Sequence, residues 1–205
     1  MKPIIIATNN LGKFDQVVNL LTALKVMTNQ FLNLADLNLV NDKEETGTML
    51  DRAKQKALNC LERLGQENLS QYLCLVANDT GTRLPSLNIE TEESKKIASQ
   101  ILSGKLLKPG DQICYVYTYA FILLPSQKIL TTQVEIPFTY LGNPQKLTLA
   151  EGQNTMSQVK AIPGQNIPHS QIPNEVEINY RLQFLRDKLT PIVSEINSSV
   201  IPIFS

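Results

Sequence analysis

The residues that could do chemistry lie mainly in three short segments of the first half of the chain. The first segment follows an apolar run and precedes a helical pattern, and it contains Thr8, Asn9, Asn10 and Lys13. Such a turn exposes backbone N–H groups at a helix N-terminus, where an anion is favoured. Because a cation is disfavoured there, Lys13 suggests an anionic partner, although Thr8 and the two asparagines could also simply cap the helix.

The other two segments place carboxylates beside glycines. They read Glu44-Glu45-Thr46-Gly47 and Ala77-Asn78-Asp79-Thr80-Gly81. Carboxylates can hold a divalent metal and aim a water molecule, and cations can cover phosphates, so these parts together suit polyphosphate chemistry. The alternatives are a solvated loop before a helix at Glu44 and Glu45, and an Asx-turn at Asp79.

Apolar periodicity indicates the elements that would position these segments. It predicts strands at residues 3–7, 30–34 and 72–77, a first helix with Lys13 in its first turn and apolar positions from Phe14 to Leu24, and a second helix over residues 48–64. In the second half it predicts a helix at 91–102, a hairpin of strands 113–124 and 128–138, a loop at 140–173, a helix at 175–189 and a tail at 190–205. Asp79 would then lie beyond the carboxyl end of a strand, where open α/β sheets place their sites.

This order of elements predicts an α/β fold: a mixed, twisted sheet flanked by helices, with a second lobe that contains the long β-hairpin. We expect one domain over residues 1–205. Its two lobes would be roughly 1–85 plus the C-terminal helix, and 86–173.

Composition narrows the classes of function. The 205 residues carry 19 basic and 19 acidic side chains, a formal net charge of zero, which disfavours a nucleic-acid or membrane-surface binder. Three cysteines, an odd number in apolar surroundings, predict buried thiols in a reducing compartment. No run approaches the ~20 apolar residues of a membrane span, and the short N-terminal apolar stretch does not resemble a signal peptide. We therefore expect a cytoplasmic protein.

Together the three segments resemble the inosine/xanthosine triphosphate pyrophosphatase family, which cleaves purine nucleoside triphosphates such as ITP and XTP to monophosphate and pyrophosphate with magnesium. Thr8, Asn9, Asn10 and Lys13 fit the family's Thr-x-Asn-x-x-Lys. Glu44-Glu45-Thr46-Gly47 with Ala53 to Ala57 fits its Glu-Glu-Thr-Gly and Ala-x-x-Lys-Ala, and Ala77 to Gly81 resembles its Ala-Asp-Asp-Ser-Gly. The resemblance covers about the first 85 residues.

The resemblance also implies residue roles. Asp79 and Lys13 would be catalytic. Mg²⁺, or Mn²⁺, would be held by Glu45 and Asp79, with Glu44 or Asn78 contributing. The substrate-binding residues would be Thr8, Asn9, Asn10, Lys13, Thr80, Gly81 and Arg181.

The chain departs from the family at several places, and it also lacks the family's Pro-Gly-x-x-Ser-Ala-Arg segment after Pro85. Asn78 replaces a carboxylate, and Tyr180 replaces the histidine of the closing Ser-His-Arg, whereas Arg181 matches. The base-recognition motif Phe-Gly-Tyr-Asp-Pro-Ile-Phe is missing, and its nearest analogue, residues 164–168, lacks the stacking ring. The phosphate half of the site is therefore expected to be retained, and the purine half rebuilt or lost.

These departures keep other functions open. The leading hypothesis is a divergent nucleoside triphosphate pyrophosphatase, and the main alternative is a non-catalytic nucleotide-binding or protein-interaction module of the same family. A Maf-like pyrophosphatase that acts on other nucleotides fits the Glu-Glu-Thr-Gly segment less well. The lone His169, in a proline-rich loop, is expected to have a structural or solvent-exposed role.

A homodimer is also expected, as is common in the family. Strand 113–124 would place four aromatic rings on one face and an apolar set on the other, and a partner subunit would cover the second face. The four rings belong to Tyr115, Tyr117, Tyr119 and Phe121.

Overall fold

A computed structural model describes residues 1–40, 43–91, 94–104, 106–124, 126–142 and 156–200. Its strands are β1 (Ile4–Ile6), β2 (Phe31–Leu32), β3 (Cys74–Leu84), β4 (Ile89–Thr91), β5 (Gln112–Leu123), β6 (Lys128–Tyr140) and β7 (Lys160–Ala161). Its α-helices are α1 (Leu11–Ala23), α2 (Met49–Leu64), α3 (Ser94–Leu102), α4 (Met156–Val159) and α5 (Asn174–Ser198).

The described strands form one mixed sheet in the order β2-β1-β3-β5-β6-β7, with β4 paired to β3. β1 pairs in parallel with β2 and with β3, whereas β4 and β7 pair antiparallel with β3 and β6. The three isoleucines of β1 are buried on both faces, as expected of a strand with parallel neighbours on each side. The predicted α/β fold with a mixed sheet flanked by helices is confirmed.

Two compact units can be distinguished, each built from separate stretches of chain. The first comprises Met1–Asp79, Thr118–Val134 and Phe184–Ser205, and the second comprises Thr80–Tyr117 and Glu135–Gln183. In the first unit, α2 packs its small side chains, Ala53 and Ala57, on apolar residues of the sheet. In the second, Ile97 and Ile101 of α3 pack with Tyr140 and Val159.

Several predicted boundaries were wrong. The helix expected from residue 91 begins at Ser94, and Thr91 instead pairs with Thr82 in the β3–β4 ladder. β3 does not end near residue 77 but continues to Leu84, so Gly81 lies within a strand. The region 140–173, expected to be a loop, contains α4 and β7 within its described part, whereas residues 143–155 lie outside the described residues.

The final helix is longer than predicted. It was expected to end at residue 189, but α5 continues through Pro191 to Ser198. The extra turns bury Ile192, Val193 and Ile196, which offsets the backbone hydrogen bond that proline cannot donate. Residues 201–205 of the predicted tail lie outside the described residues.

Strand β5 is covered on both faces by its own chain. Tyr119 and Phe121 are buried, and so are Ala120 and Ile122, which face the other way and pack in the core of the first unit with α2. The reason for expecting a partner subunit on the second face was therefore wrong, and the homodimer stays a prediction of the family resemblance alone. Among the described residues, no helix combines the length and apolar character that crossing a bilayer requires.

Candidate active site

The turn after β1 is held by its own side chains. Thr8 Oγ1 accepts a hydrogen bond from the Asn10 backbone N–H at 3.1 Å. Asn10 is the N-cap of α1, where its Oδ1 accepts from the Lys13 backbone N–H at 3.1 Å. Thr8 and Asn10 therefore shape the turn as caps, and Asn9 is exposed on it.

The loop that carries Glu45 is attached to α2 by a pair of hydrogen bonds. Gln55 accepts from the Thr46 backbone N–H at 2.9 Å and donates to the Thr46 carbonyl at 3.1 Å. Thr48 and Asp51 form a capping box at the start of the helix. These bonds fix the loop, in which Glu45 is half-buried whereas Glu44 is exposed.

Asp79 lies at the centre of a cluster of charged side chains and is only 4% exposed. Lys56 Nζ donates to its Oδ1 at 2.8 Å, and Arg52 Nε lies 3.0 Å from its Oδ2. Lys56 Nζ is also 3.9 Å from Glu45 Oε2. Arg52 and Lys56 are one helical turn apart on α2, so both reach the same carboxylate.

Lys13 completes this cluster. Burial lowers the pKa of its ammonium, the nearby charges of Lys56 and Arg52 lower it further, and Asp79 and Glu45 raise it. All five side chains therefore interact electrostatically, and the three cations outnumber the two carboxylates. An excess of positive charge in a partly desolvated site favours an anionic ligand.

The structure brings together Lys13, Glu45 and Asp79, which the sequence had singled out. It adds Arg52 and Lys56, to which the sequence reasoning assigned no role. The available signal was their i, i+4 spacing on the helix that follows the Glu-Glu-Thr-Gly loop.

The other predicted residues of this region are not members of the ion pairs in the cluster. Asn78 is buried next to Asp79 on β3, and successive side chains of a strand point to opposite faces. Thr80 and Gly81 continue β3 into the second unit. None of the three contributes to the ion pairs around Asp79.

Arg181 lies in the second unit, in a separate buried cluster. Its Nε donates to Glu177 Oε1 at 2.8 Å, and its guanidinium stacks over the Tyr117 ring at 5.0 Å. His169 Nε2 lies 3.4 Å from the same carboxylate oxygen, so the histidine has a structural contact, as expected. Burial by itself would raise the pKa of Glu177, but the His169 and Arg181 contacts outweigh it and lower that pKa to about 2.

Lys160 is the most unusual residue of this second cluster, and no sequence signal marked it beyond a lysine within an apolar run. It is only 4% exposed, and its Nζ lies over the rings of Tyr115 and Phe138, 4.0 and 4.1 Å from their centroids. Burial lowers its pKa to about 7, and the Arg181 charge acts in the same direction.

The three cysteines are buried thiols, as predicted. Burial raises the pKa of Cys60 to about 12 and also raises the pKa values of Cys74 and Cys114. None of them is therefore a reactive thiolate at neutral pH.

Comparison with known proteins yields a match at the level of structure. No protein-family model matches the chain, and no curated protein sequence matches it. A crystal structure of a nucleoside-triphosphatase / dITP/XTP pyrophosphatase from Mycobacterium abscessus superimposes with a TM-score of 0.53 at 15% identity, over 99% of this chain and 100% of that chain. The two chains share a fold. At this identity the likeness extends to the fold alone, an ITPase-like arrangement of the mixed sheet and its helices.

Proposed function

We propose that the protein is a nucleoside triphosphate pyrophosphatase that hydrolyses its substrate to a monophosphate and pyrophosphate. The supporting observation is the cluster around Asp79, in which Lys13, Arg52 and Lys56 surround two carboxylates beside the turn after β1. Cations that outnumber carboxylates suit a polyphosphate chain, and a buried carboxylate suits activation of water. The shared fold with a triphosphate pyrophosphatase is consistent with this chemistry.

In this mechanism Asp79 orients a water molecule and accepts its proton. The water oxygen bonds to the α-phosphorus as the bond from that phosphorus to the bridging oxygen breaks, and pyrophosphate leaves. Lys13 and the N-terminus of α1 stabilise the charge on the phosphates. Thr8 and Asn10 keep this N-terminus in shape through their cap hydrogen bonds, and Asn9 stays proposed as a substrate contact on the family resemblance.

We further propose Mg²⁺, or Mn²⁺, as the cofactor. Among the described residues no three His, Cys, Asp or Glu side chains form a ligand group. Mg²⁺ in nucleotide sites needs only one or two carboxylates plus phosphate oxygens, and Glu45 and Asp79 approach the same ammonium, so the residues fit. Glu44 would be a further donor, and Asn78 stays proposed as one on the family resemblance alone. The metal would neutralise phosphate charge when bound.

The proposal about base preference rests on the family's base-recognition motif, which this sequence lacks. Without the aromatic base-recognition motif, and with Arg181 held by Glu177, we expect weak discrimination between hypoxanthine or xanthine and adenine or guanine. Strong rejection requires buried polar groups that the wrong base would leave unpaired. Thr80, Gly81 and Arg181 stay proposed as substrate contacts on the family resemblance.

One observation favours the alternative, a non-catalytic nucleotide-binding module. Both oxygens of Asp79 lie beside basic side chains, so the negative charge of the proposed base is already balanced by two cations. The experiment that separates the two is pyrophosphate release by the purified protein with Mg²⁺ across standard, deaminated and methylated nucleotides. Nucleotide binding without any pyrophosphate release would establish the alternative.

A further inference from the structure

Lys56 occupies the place between the two carboxylates that a divalent metal would need. Its ammonium contacts Asp79 Oδ1 at 2.8 Å and lies 3.9 Å from Glu45 Oε2. The second oxygen of Asp79 is 3.0 Å from Arg52. A metal that approached this pair would therefore meet two side-chain cations on Asp79 and the charge of Lys13 beside them.

The Arg52 contact is close but not aligned as a hydrogen bond. Arg52 Nε and Asp79 Oδ2 are both buried, and neither has a hydrogen-bond partner, although they are 3.0 Å apart. Electrostatics alone hold this pair, so a bound anion can draw the guanidinium away without breaking an aligned bond. A planar guanidinium suits phosphate oxygens, which it can bind with two parallel N–H donors.

We infer that the site binds its ligands in a fixed order, with polyphosphate first and metal second. Arg52, Lys56 and Lys13 bind the phosphate chain directly and without a metal. The phosphates draw Arg52 and Lys56 off Asp79, and only then do Asp79 and Glu45 become available to a divalent cation. Until a phosphate binds, Lys56 acts as an internal cation that excludes the metal. The inference rests on the proposed function in taking the ligand to be a polyphosphate.

Two calorimetric titrations of the full-length protein test this order. Sodium tripolyphosphate in EDTA should bind the wild type saturably, whereas MnCl₂ alone should give no saturable heat. Lys56→Gln should change the two titrations in opposite directions. Tripolyphosphate binding should weaken by about 10-fold or more, because one charge-assisted contact is lost. MnCl₂ alone should now bind saturably. Lys54→Gln removes the same charge from the same helix outside the cluster and should change neither titration.

Lys56→Arg keeps a cation at this position and should therefore still bind no MnCl₂ on its own. This second variant keeps the order testable even if Lys56→Gln fails to fold. Saturable Mn²⁺ binding by the ligand-free wild type, or a strict metal requirement for tripolyphosphate, would overturn the order. Metal-free tripolyphosphate binding without hydrolysis of any nucleotide would instead refute the proposed function and leave this inference intact.

Discussion

At the scale of single residues, the sequence singled out both carboxylates of the charged cluster but only one of its three cations, Lys13. Glu45 and Asp79 follow recognisable local patterns, a Glu-Glu-Thr-Gly loop and the end of an apolar run. Arg52 and Lys56 acquire their roles from contacts with Asp79, which is 27 and 23 positions away along the chain. Such pairings depend on how α2 packs on the sheet, so the i, i+4 spacing of the two residues indicates a shared helix face but not the partner of that face.

Lys160 should make stability depend on pH. Its proton is taken up near pH 10.5 when unfolded but near pH 7 in the fold, so the unfolded state binds more protons between these values. The free energy of unfolding is therefore highest above the pKa that Lys160 has in the unfolded chain. It falls by at most about 1.4 kcal/mol per pH unit as the pH decreases, and this contribution is lost below the pKa that Lys160 has in the folded protein.

Urea unfolding between pH 7 and pH 8.5 checks this expectation. Lys160→Met should remove most of the slope and raise stability at pH 7, whereas the exposed Lys108→Met should leave the slope intact. Lys13 contributes in the same direction because its pKa is also lowered, so the difference between wild type and variant isolates Lys160. An unchanged slope in Lys160→Met would show that the buried amine is not the titrating group.

A substitution at Asn78 tests whether the metal-site pattern of the family applies to this protein. Asn78→Asp restores the family's carboxylate, but the side chain is buried and lies on the face of β3 opposite to Asp79. We expect a loss of stability of about 2 kcal/mol or more and no gain in activity, because the new charge would be buried and would lie on the face of β3 away from Asp79. Measured activity at limiting Mg²⁺ that rises above the wild type would instead place Asn78 in the metal site.

At the scale of elements, strong apolar periodicity and turn residues predicted the positions of those strands and helices whose ends do not depend on tertiary packing. β1, α1, α2 and the β5–β6 hairpin were anticipated within a few residues. The predicted last helix ends at residue 189, whereas α5 continues through Pro191 because burial of Ile192, Val193 and Ile196 outweighs the hydrogen bond that proline cannot donate. The predicted third strand ends at residue 77, whereas β3 continues through Thr80 and Gly81 to Leu84.

The clamp between Gln55 and the Glu45 loop yields a prediction at this scale. Gln55→Ala removes both hydrogen bonds to Thr46 and should let the loop move, so kcat/KM should fall by about 10-fold with only a small loss of stability. Steady-state kinetics with a parallel thermal melt measure the two effects, and Lys54→Ala on the same helix is the matched control. Equal losses in the two variants would mean that the loop does not position Glu45.

At the scale of the whole molecule, the sequence predicted the fold class and the mixed sheet. It did not predict the strand order or which stretches of chain make up each unit, because both depend on pairings between strands that are distant in the sequence. Each unit is drawn from two or three separate stretches of chain and has its own apolar core.

The homodimer is a prediction at this scale. β5 is covered on both faces within one chain, so any interface must use another surface. Light scattering at micromolar concentration should give twice the chain mass of 22.9 kDa if the family's assembly is kept. A species of the chain mass would contradict the dimer and leave the site, which is described within one chain, unaffected.

The most direct test of the central claim is the rate of pyrophosphate release by the wild type and by Asp79→Asn, each with Mg²⁺ and a panel of nucleoside triphosphates. The variant keeps the size of the side chain but cannot accept a proton or carry the charge that Lys56 and Arg52 surround. We predict release by the wild type and a loss of ~10²–10⁴ in the variant, with its circular dichroism spectrum unchanged. Undiminished release by a folded Asp79→Asn protein would contradict the account.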